Sequence, residues 1–300
     1  MILVTGATGS IGTHLVRLLL DQGAPVRALV RDAAKGRALG CDVVVGDFDE
    51  PASLAAAMDG VDRLFLNAGG AQPVDGEQPM IRQQKAAIDA ARAAGVSRVV
   101  KVSVWGARRG GRLAEGAHWE IEEYLKASGL GWSMLRPSGF MQNFITGAGA
   151  FTADGRLMDA YGGAGVSYID CHDIAACAAA LLTGARGLGE TYVLTGPQAL
   201  TAAEITRELS AALGRAVGHV EVSPDDLAAA LRSQGLPARF ADDVAELSGN
   251  VAAGSLAATT TAVRDLTGRA PRTFAQFLAA NAGALRAGLL STAHPSGYGG

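Results

Sequence analysis

The first twenty residues limit the possible fold more than any other part of the chain. Residues 1–4 form an apolar run typical of a buried parallel strand, and the sequence T-G-A-T-G-S-I-G follows directly. Leu15, Leu18 and Leu19 then share one face of a helix, which Gly23 ends. This order of strand, glycine-rich turn and helix is typical of the first unit of a dinucleotide-binding sheet.

The glycines of the turn are spaced G-x-x-G-x-x-G. Gly6 allows the strand to turn sharply, Gly9 lets backbone N–H groups approach a pyrophosphate, and Gly12 lets the helix pack closely. Thr8 and Ser10 add hydroxyl donors. A glycine turn without a ligand is the alternative interpretation. The dinucleotide contacts predicted here are those of Gly6, Thr8, Gly9, Ser10, Ile11 and Gly12.

Strand and helix patterns alternate along the chain through about residue 137. The predicted strands are 26–30, 43–45, 61–66, 99–102 and 132–135, and the predicted helices are 51–58, 77–94 and 113–128. Such alternation predicts an α/β fold, a Rossmann-type doubly wound parallel sheet whose ligands lie at the carboxyl ends of the strands. The predicted domains are a dinucleotide-binding domain, 1–155, and a smaller, mostly helical C-terminal substrate lobe, 156–300, partly interwoven with the first.

The residues after the second strand indicate which dinucleotide binds. Val30 occupies the position at which a carboxylate would bind the adenosine ribose of NAD, and Arg31 follows it. No carboxylate then repels a 2′-phosphate, and a planar cation is available to bind one, so NADP(H) is preferred over NAD(H). Lys35 can assist, and Asp32 is expected to cap the next segment.

Further cofactor contacts are expected where the later strands end. After the third strand, Asp47 offers a carboxylate to the adenine amine and Phe48 an aromatic edge, although a turn before Pro51 would by itself explain Asp47. Small residues follow the fourth strand, where the central ribose would pass. The contacts predicted in these places are Asp47, Phe48, Asn67, Ala68, Gly69 and Pro137.

Six short stretches are spread over nearly the whole chain, to about residue 277. They are T-G-A-T-G-S-I-G, V-R-A-L-V-R-D, G-D-F-D-E-P-A-S-L, L-R-P-S-G-F-M-Q-N-F, D-C-H-D-I-A and L-T-G-R-A-P-R-T-F. In this order and spacing they resemble the NmrA-like branch of the atypical short-chain dehydrogenases/reductases. The resemblance implies an NAD(P)-binding fold with a smaller C-terminal lobe over the nicotinamide end. Members range from quinone and aromatic-substrate reductases to cofactor sensors without turnover, so the function stays open.

The helix after the fifth strand lacks the Tyr-x-x-x-Lys pair of typical short-chain dehydrogenases. Ser103 ends the strand, and His118 and Glu122, four residues apart, share one helical face. The carboxylate is expected to orient or charge the imidazole, which would then donate a proton; alternatively, His118 caps or packs near the helix start. The predicted catalytic residues are therefore His118, Glu122 and Ser103, whereas Tyr124 is predicted to pack.

Large apolar residues follow the sixth strand, and Phe140, Met141 and Phe144 are predicted to wall a substrate pocket, with core packing as the alternative. A sparse acid site favours an NADPH-dependent reductase of a flat conjugated substrate, such as a quinone, enone or aromatic polyketide-like intermediate. Hydride addition to such a compound leaves a phenolate or enolate, a weaker base than an alkoxide. The alternatives are an NADP(H)-sensing regulator without turnover, and a tailoring enzyme that catalyses coupling or dehydration of an aromatic substrate.

Composition excludes several other classes of protein. The net charge of −3 gives no reason to expect a nucleic-acid partner, and the three cysteines form no C-x-x-C pair, which indicates a reducing compartment. No leader or long apolar stretch is evident, so we expect a cytoplasmic protein without membrane contact. His172 has no partner cluster, so no metal site is expected. The segment 147–165 and the tail 294–300 are predicted to be mobile.

Overall fold

The computed structural model describes residues 1–146, 151–152 and 154–285. The tail predicted at 294–300 and part of the glycine-rich segment 147–165 lie outside these residues. No helix in the described ranges is both long and apolar enough to cross a membrane.

Strands and helices alternate through the first half of the chain, as the sequence predicts. In chain order the described strands are β1 (Ile2–Val4), β2 (Val26–Val30), β3 (Asp42–Val45), β4 (Arg63–Leu66), β5 (Arg98–Val102), β6 (Gly131–Pro137), β7 (Leu157–Asp159), β8 (Glu190–Leu194) and β9 (His219–Glu221). The described helices are α1 (Ser10–Asp21), α2 (Ala33–Arg37), α3 (Pro51–Ala57), α4 (Pro79–Ala93), α5 (Ala114–Ala127), α6 (Asn143–Thr146), α7 (Cys171–Thr183), α8 (Ala202–Leu213), α9 (Pro224–Ser233), α10 (Ala238–Ala252), α11 (Ala262–Thr267) and α12 (Phe274–Ala280).

The chain divides into two compact units. Unit 1 contains Met1–Pro137, Cys171–Leu194 and Ala262–Arg269, and unit 2 contains Ser138–Asp170, Thr195–Thr261 and the chain from Ala270 onward. Each unit is therefore assembled from three separate segments, and the boundary predicted near residue 155 falls inside a segment of unit 2.

Unit 1 is built on a seven-stranded parallel sheet. The strand order is β3-β2-β1-β4-β5-β6-β8, so the order reverses between β1 and β4. Helices α1, α7 and α11 form one group in which α7 contacts the other two, and α3, α4 and α5 form a second group in which α4 contacts the other two. The predicted Rossmann-type doubly wound sheet is confirmed. Its ligands are expected at the strand-order reversal.

Local sequence explains how these elements form. Helix α1 buries Ile11, Leu15, Val16 and Leu19, which recur at helical spacing, and the second helix group packs a large apolar core against the strands. Helix α7 begins at Cys171 and therefore includes Asp173 in its first turn.

Unit 2 is smaller and mostly helical. Helix α8 begins with a capping box, in which Thr201 and Glu204 exchange hydrogen bonds. Strands β7 and β9 form a short parallel pair. The apolar core of the unit is centred on aromatic contacts, and the Phe144 ring meets the rings of Tyr168 and Phe274 edge-on at centroid distances of 4.9 and 5.2 Å.

Candidate cofactor and active site

The glycine turn after β1 requires glycine at two of its positions, 6 and 12. Gly6 has φ of +61°, in the left-handed region that favours glycine. A Cβ atom on Gly12 would lie 2.1 Å from the Gly6 carbonyl oxygen and 2.6 Å from the Cα of Ala7. Helix α1 therefore approaches the turn at a distance that only glycine permits at position 12.

The amino end of α1 is open. Gly9 is its N-cap residue and makes no side-chain cap, and the first turn contains no acidic residue. Thr8, Gly9 and Ser10 are exposed, whereas Ile11 is buried and can offer only its backbone N–H. A helix start with uncapped N–H groups and exposed hydroxyls suits an anion such as a pyrophosphate.

A hydrogen-bonded link joins the ends of β1 and β4, beside the glycine turn. The Thr5 hydroxyl donates to the carbonyl of Asn67 at 2.8 Å and accepts from the Asn67 N–H at 2.8 Å. This link fixes the loop that carries the predicted contacts Asn67, Ala68 and Gly69, of which Gly69 is exposed. Sequence reasoning did not single out Thr5.

Arg31 directly follows β2, and its neighbour Asp32 caps the next helix. The Asp32 carboxylate accepts from the N–H of Ala34 at 2.7 Å, which confirms that Asp32 caps α2. Arg31 is exposed and has no ion-pair partner among the described side chains, and the same is true of Lys35. The Asp32 carboxylate therefore caps α2, and the Arg31 guanidinium is available to a phosphate.

The remaining predicted cofactor contacts lie at strand ends. Asp47 accepts from the N–H of Asp49 at 2.9 Å, so it forms the turn before α3, and its contact with adenine stays a prediction. Phe48 is partly buried against the unit 1 core. Pro137 ends β6 and accepts from the N–H of Trp105 at 3.1 Å.

Five polar side chains meet between β5, α5 and β6, and we call them the polar cluster. Strand β5 supplies Lys101, and Ser103 lies just after its end. Helix α5 supplies His118 and Glu122, and β6 supplies Arg136. Lys101 and Glu122 have no exposed surface, and His118 is 8% exposed. The predicted catalytic residues therefore do come together, with two cations in addition.

Glu122 does not pair with His118 as the helical spacing predicts. Its carboxylate accepts from the Ser103 hydroxyl at 2.5 Å and from Nε of Arg136 at 2.9 Å, and Nη2 of Arg136 donates to its other oxygen. This bidentate contact with the Arg136 guanidinium occupies both oxygens of the Glu122 carboxylate.

The partner of His118 is Lys101. Nζ of Lys101 lies 2.8 Å from Nδ1 of His118 and donates to the carbonyl of Val102 at 3.0 Å. Burial lowers the pKa of Lys101 to about 7, an effect that Glu122 opposes and Arg136 reinforces. Burial and then the nearby Lys101 lower the pKa of His118 well below its ordinary value. The prediction that a carboxylate charges this imidazole is therefore wrong.

This pairing fixes the form of the imidazole. When Lys101 is protonated, it donates to Nδ1 of His118, so the neutral ring carries its proton on Nε2. Nε2 has no hydrogen-bond partner among the described residues. The pair thus offers one N–H outward, with an ammonium group behind it.

Sequence reasoning missed Lys101 and Arg136, although both carry a signal. Each stands within an apolar run predicted as a buried strand, V-V-K-V for Lys101 and M-L-R-P for Arg136. Charged side chains are almost never fully buried unless they are paired, so a cation in such a run indicates a buried partner.

The three residues predicted to wall a substrate pocket lie in different surroundings. Phe144 lines a pocket within unit 2, and Met141 is 1% exposed in the unit 2 core. Phe140 forms an isolated β-bridge with Ile169.

Tyr124 packs against the unit 1 core, and its hydroxyl donates to Asp89 at 2.9 Å, consistent with a packing role.

Comparison with known proteins agrees with the architecture. The model of the NmrA-like family matches residues 1–269. NAD(P)H azoreductase of Xenophilus azovorans is 39% identical over 292 residues, which cover 96% of this chain and 100% of that protein. The structure of an NADPH-dependent quinone oxidoreductase of Escherichia coli complexed with NADPH gives a TM-score of 0.79 at 31% identity, over 93% of this chain and 99% of that chain.

A third protein shares the fold over a similar span. The triphenylmethane reductase of Citrobacter sp. complexed with NADP(H) gives a TM-score of 0.77 at 27% identity, over 92% of this chain and 98% of that chain. The family match covers most of this chain, including the glycine turn and the polar cluster. The chain therefore belongs to the NmrA-like family.

Proposed function

We propose that this chain is an NADPH-dependent oxidoreductase that transfers hydride to a flat conjugated acceptor. The observation that carries the proposal is the open helix start of α1, together with an exposed Arg31 after the neighbouring strand β2, which pairs with no described carboxylate. The relatives support it, because they are an azoreductase, a quinone oxidoreductase and a dye reductase, and two of them have been crystallised with NADP(H) or NADPH. The acceptor class comprises quinones, enones, aromatic polyketide-like intermediates and azo compounds.

The chain has suitable groups for each charged part of the cofactor. The N–H groups at the start of α1 and the hydroxyls of Thr8 and Ser10 bind the pyrophosphate. Arg31 binds the 2′-phosphate, since its guanidinium forms two parallel hydrogen bonds with phosphate oxygens. NADPH held in this way supplies the hydride.

The polar cluster supplies the proton that completes the reduction. A quinone that accepts a hydride becomes a hydroquinone anion, which needs one proton to become the neutral product. His118 donates this proton from Nε2, and Nδ1 takes a proton from the Lys101 ammonium, so the imidazole remains neutral and the lysine becomes neutral. Lys101 is reprotonated from solvent before the next turnover.

Oxidation of NADPH against a panel of acceptors tests the reaction class. We expect turnover with menadione and with a conjugated enone, and little with cyclohexanone, whose reduction leaves a far more basic alkoxide. Rapid turnover of cyclohexanone would contradict the proposal. If the cofactor bound in both redox forms but no acceptor were reduced, the chain would instead be a sensor of the NADPH/NADP ratio.

Arg31→Ala tests cofactor choice separately. We expect it to weaken NADPH binding by about 1.5–3 kcal/mol, the range for a hydrogen bond to a charged group, and to leave NADH nearly unchanged. Arg17→Ala, an exposed arginine on α1, is the matched control and should change neither affinity. Equal losses for both cofactors would mean that Arg31 serves only the local structure.

A further inference from the structure

The connection between β4 and α4 lies at the carboxyl end of the sheet, and we call residues 67–78 the β4–α4 loop. It exceeds the usual length of about 2–6 residues for such a connection. Its first residue lies against the glycine turn, because a Cβ atom on Gly6 would be 3.1 Å from both Nδ2 and the carbonyl oxygen of Asn67. The loop therefore leaves the sheet beside the strand-order reversal, where the dinucleotide is expected.

One side chain ties the far end of this loop back to its middle. Oε1 of Gln78 accepts from the N–H of Gln72 at 2.8 Å, and Nε2 of Gln78 donates to the carbonyl of Gln72 at 2.9 Å. The same carbonyl accepts from the N–H of Val74 at 2.9 Å. Both partners of the Gln78 amide belong to the main chain of Gln72, so the contact does not depend on the Gln72 side chain.

The Gln78 side chain does not cap the helix that it precedes. Gln78 is the N-cap residue of α4, yet its side chain makes no cap hydrogen bond. It is 8% exposed, and both ends of its amide are paired, as a buried polar group requires. The amide therefore serves the loop, and the start of α4 does not depend on it.

The part of the loop that this contact holds is residues 68–71, which we call the glycine arm. Its sequence is A-G-G-A, and Gly69 and Gly70 are exposed, with nothing within 4 Å of a Cβ atom placed on either. None of the N–H groups of the arm has a hydrogen-bond partner among the described residues. The link between the strand ends fixes Asn67 before the arm, and Gln78 fixes the residue directly after it.

We propose that Gln78 is a positioning residue for the cofactor, because by holding Gln72 it keeps the glycine arm in the conformation that binds NADPH. A segment with two glycines loses much conformational entropy when it is ordered, so an arm already held at both ends loses less on binding. The N–H groups of the arm then donate to oxygen atoms of the cofactor. This inference rests on the proposed function, since it concerns the cofactor that the reaction requires.

Titration of the full chain with NADPH, followed by the fluorescence of the cofactor, tests the role of Gln78. Gln78→Met keeps the size of the side chain and removes both hydrogen bonds. We expect the dissociation constant for NADPH to rise about 3- to 10-fold, the effect of about one net hydrogen bond. Gln72→Ala is the matched control and should bind NADPH as the parent does, since the main-chain partners of Gln78 remain.

Amide hydrogen exchange without cofactor separates positioning from a general loss of stability. In Gln78→Met the N–H groups of Gln72 and Val74 should exchange at least about threefold faster than in the parent, whereas those of α4 should not change. Equal acceleration in α4 would show that Gln78 supports the helix and would overturn the proposal. Parent affinity for NADPH in Gln78→Met, or an equal loss in Gln72→Ala, would overturn it alone. A parent chain that binds no NADPH would contradict the proposed function, and this inference with it.

Discussion

Two groups of side chains lie next to each other in the polar cluster, and they are built in opposite ways. In the first, the Glu122 carboxylate accepts hydrogen bonds from Ser103 and Arg136, so one negative and one positive charge offset each other. In the second group, two basic side chains contact each other, with Nζ of Lys101 lying 2.8 Å from Nδ1 of His118. In both groups a side chain of helix α5 meets side chains that come from neighbouring strands or from the end of a strand.

The difference indicates which group is structural and which is chemical. The Glu122 group matches donors with acceptors, as buried ion pairs must if they are not to destabilise the fold. The Lys101 group lowers the stability of the fold, because burial disfavours the ammonium and brings the pKa of Lys101 to about 7. A buried base that titrates near neutral pH beside an imidazole is typical of a proton-transfer site.

The largest expected effect is on turnover. His118→Ala should lower kcat with menadione by about 10²–10⁴-fold, the usual loss for a general acid, with little change in NADPH affinity. Tyr124→Phe on the same helix is the control and should retain kcat. A rise in KM alone would make His118 a positioning group, and an unchanged kcat and KM would show that it only packs.

Glu122→Gln tests the structural group. It leaves the Arg136 guanidinium without its counter-charge, and we expect the free energy of unfolding to fall by about 3 kcal/mol, the lower end for breaking a buried pair, since Arg136 is partly exposed. Glu123→Gln, an exposed neighbour, should cost under about 0.5 kcal/mol. Equal losses in urea denaturation of the two variants would contradict the structural assignment.

Lys101→Met tests how much the buried Lys101 destabilises the fold. The folded chain holds this lysine at a pKa of about 7, below its ordinary value of 10.5, so the unfolded chain binds the proton more tightly and parent stability rises with pH above 7. Lys101→Met should therefore stabilise the chain more at pH 6 than at pH 9, by about 2–3 kcal/mol. Lys126→Met, which is exposed, should show no such difference in denaturant unfolding at the two pH values.

Ser103→Ala should have the smallest effect. Glu122 keeps both contacts with Arg136, so the loss of one hydroxyl donor should lower the free energy of unfolding by about 1 kcal/mol and leave kcat nearly unchanged. A collapse of kcat would instead make Ser103 the proton donor.

Local patterns in the sequence predict much of the fold. The predicted strands and helices through residue 137 begin and end within two residues of those observed. The glycine turn, the Asp32 cap and the capping box at Thr201 are equally local, because each depends on residues only a few positions apart. The position of Arg31 directly after a strand is likewise predicted from residues close to it in the sequence.

The partners within the polar cluster depend on long-range contacts. Spacing of four residues places His118 and Glu122 on one helical face, but it does not say which side chains arrive from β5 and β6. Lys101 arrives from one strand and takes the imidazole, and Arg136 arrives from the other and takes the carboxylate. The pocket that Phe144 lines within unit 2 has the same origin, since its lining residues are spread between positions 139 and 256.

The most direct test of the role of Lys101 is the pH dependence of kcat for menadione reduction in the parent chain and in Lys101→Met. We expect kcat of the parent to fall as pH rises through about 7, because neutral Lys101 no longer passes a proton to Nδ1 of His118. In Lys101→Met, kcat should be lower below pH 7 and should lack this inflection. The same inflection in both proteins would show that Lys101 is not the source of the proton.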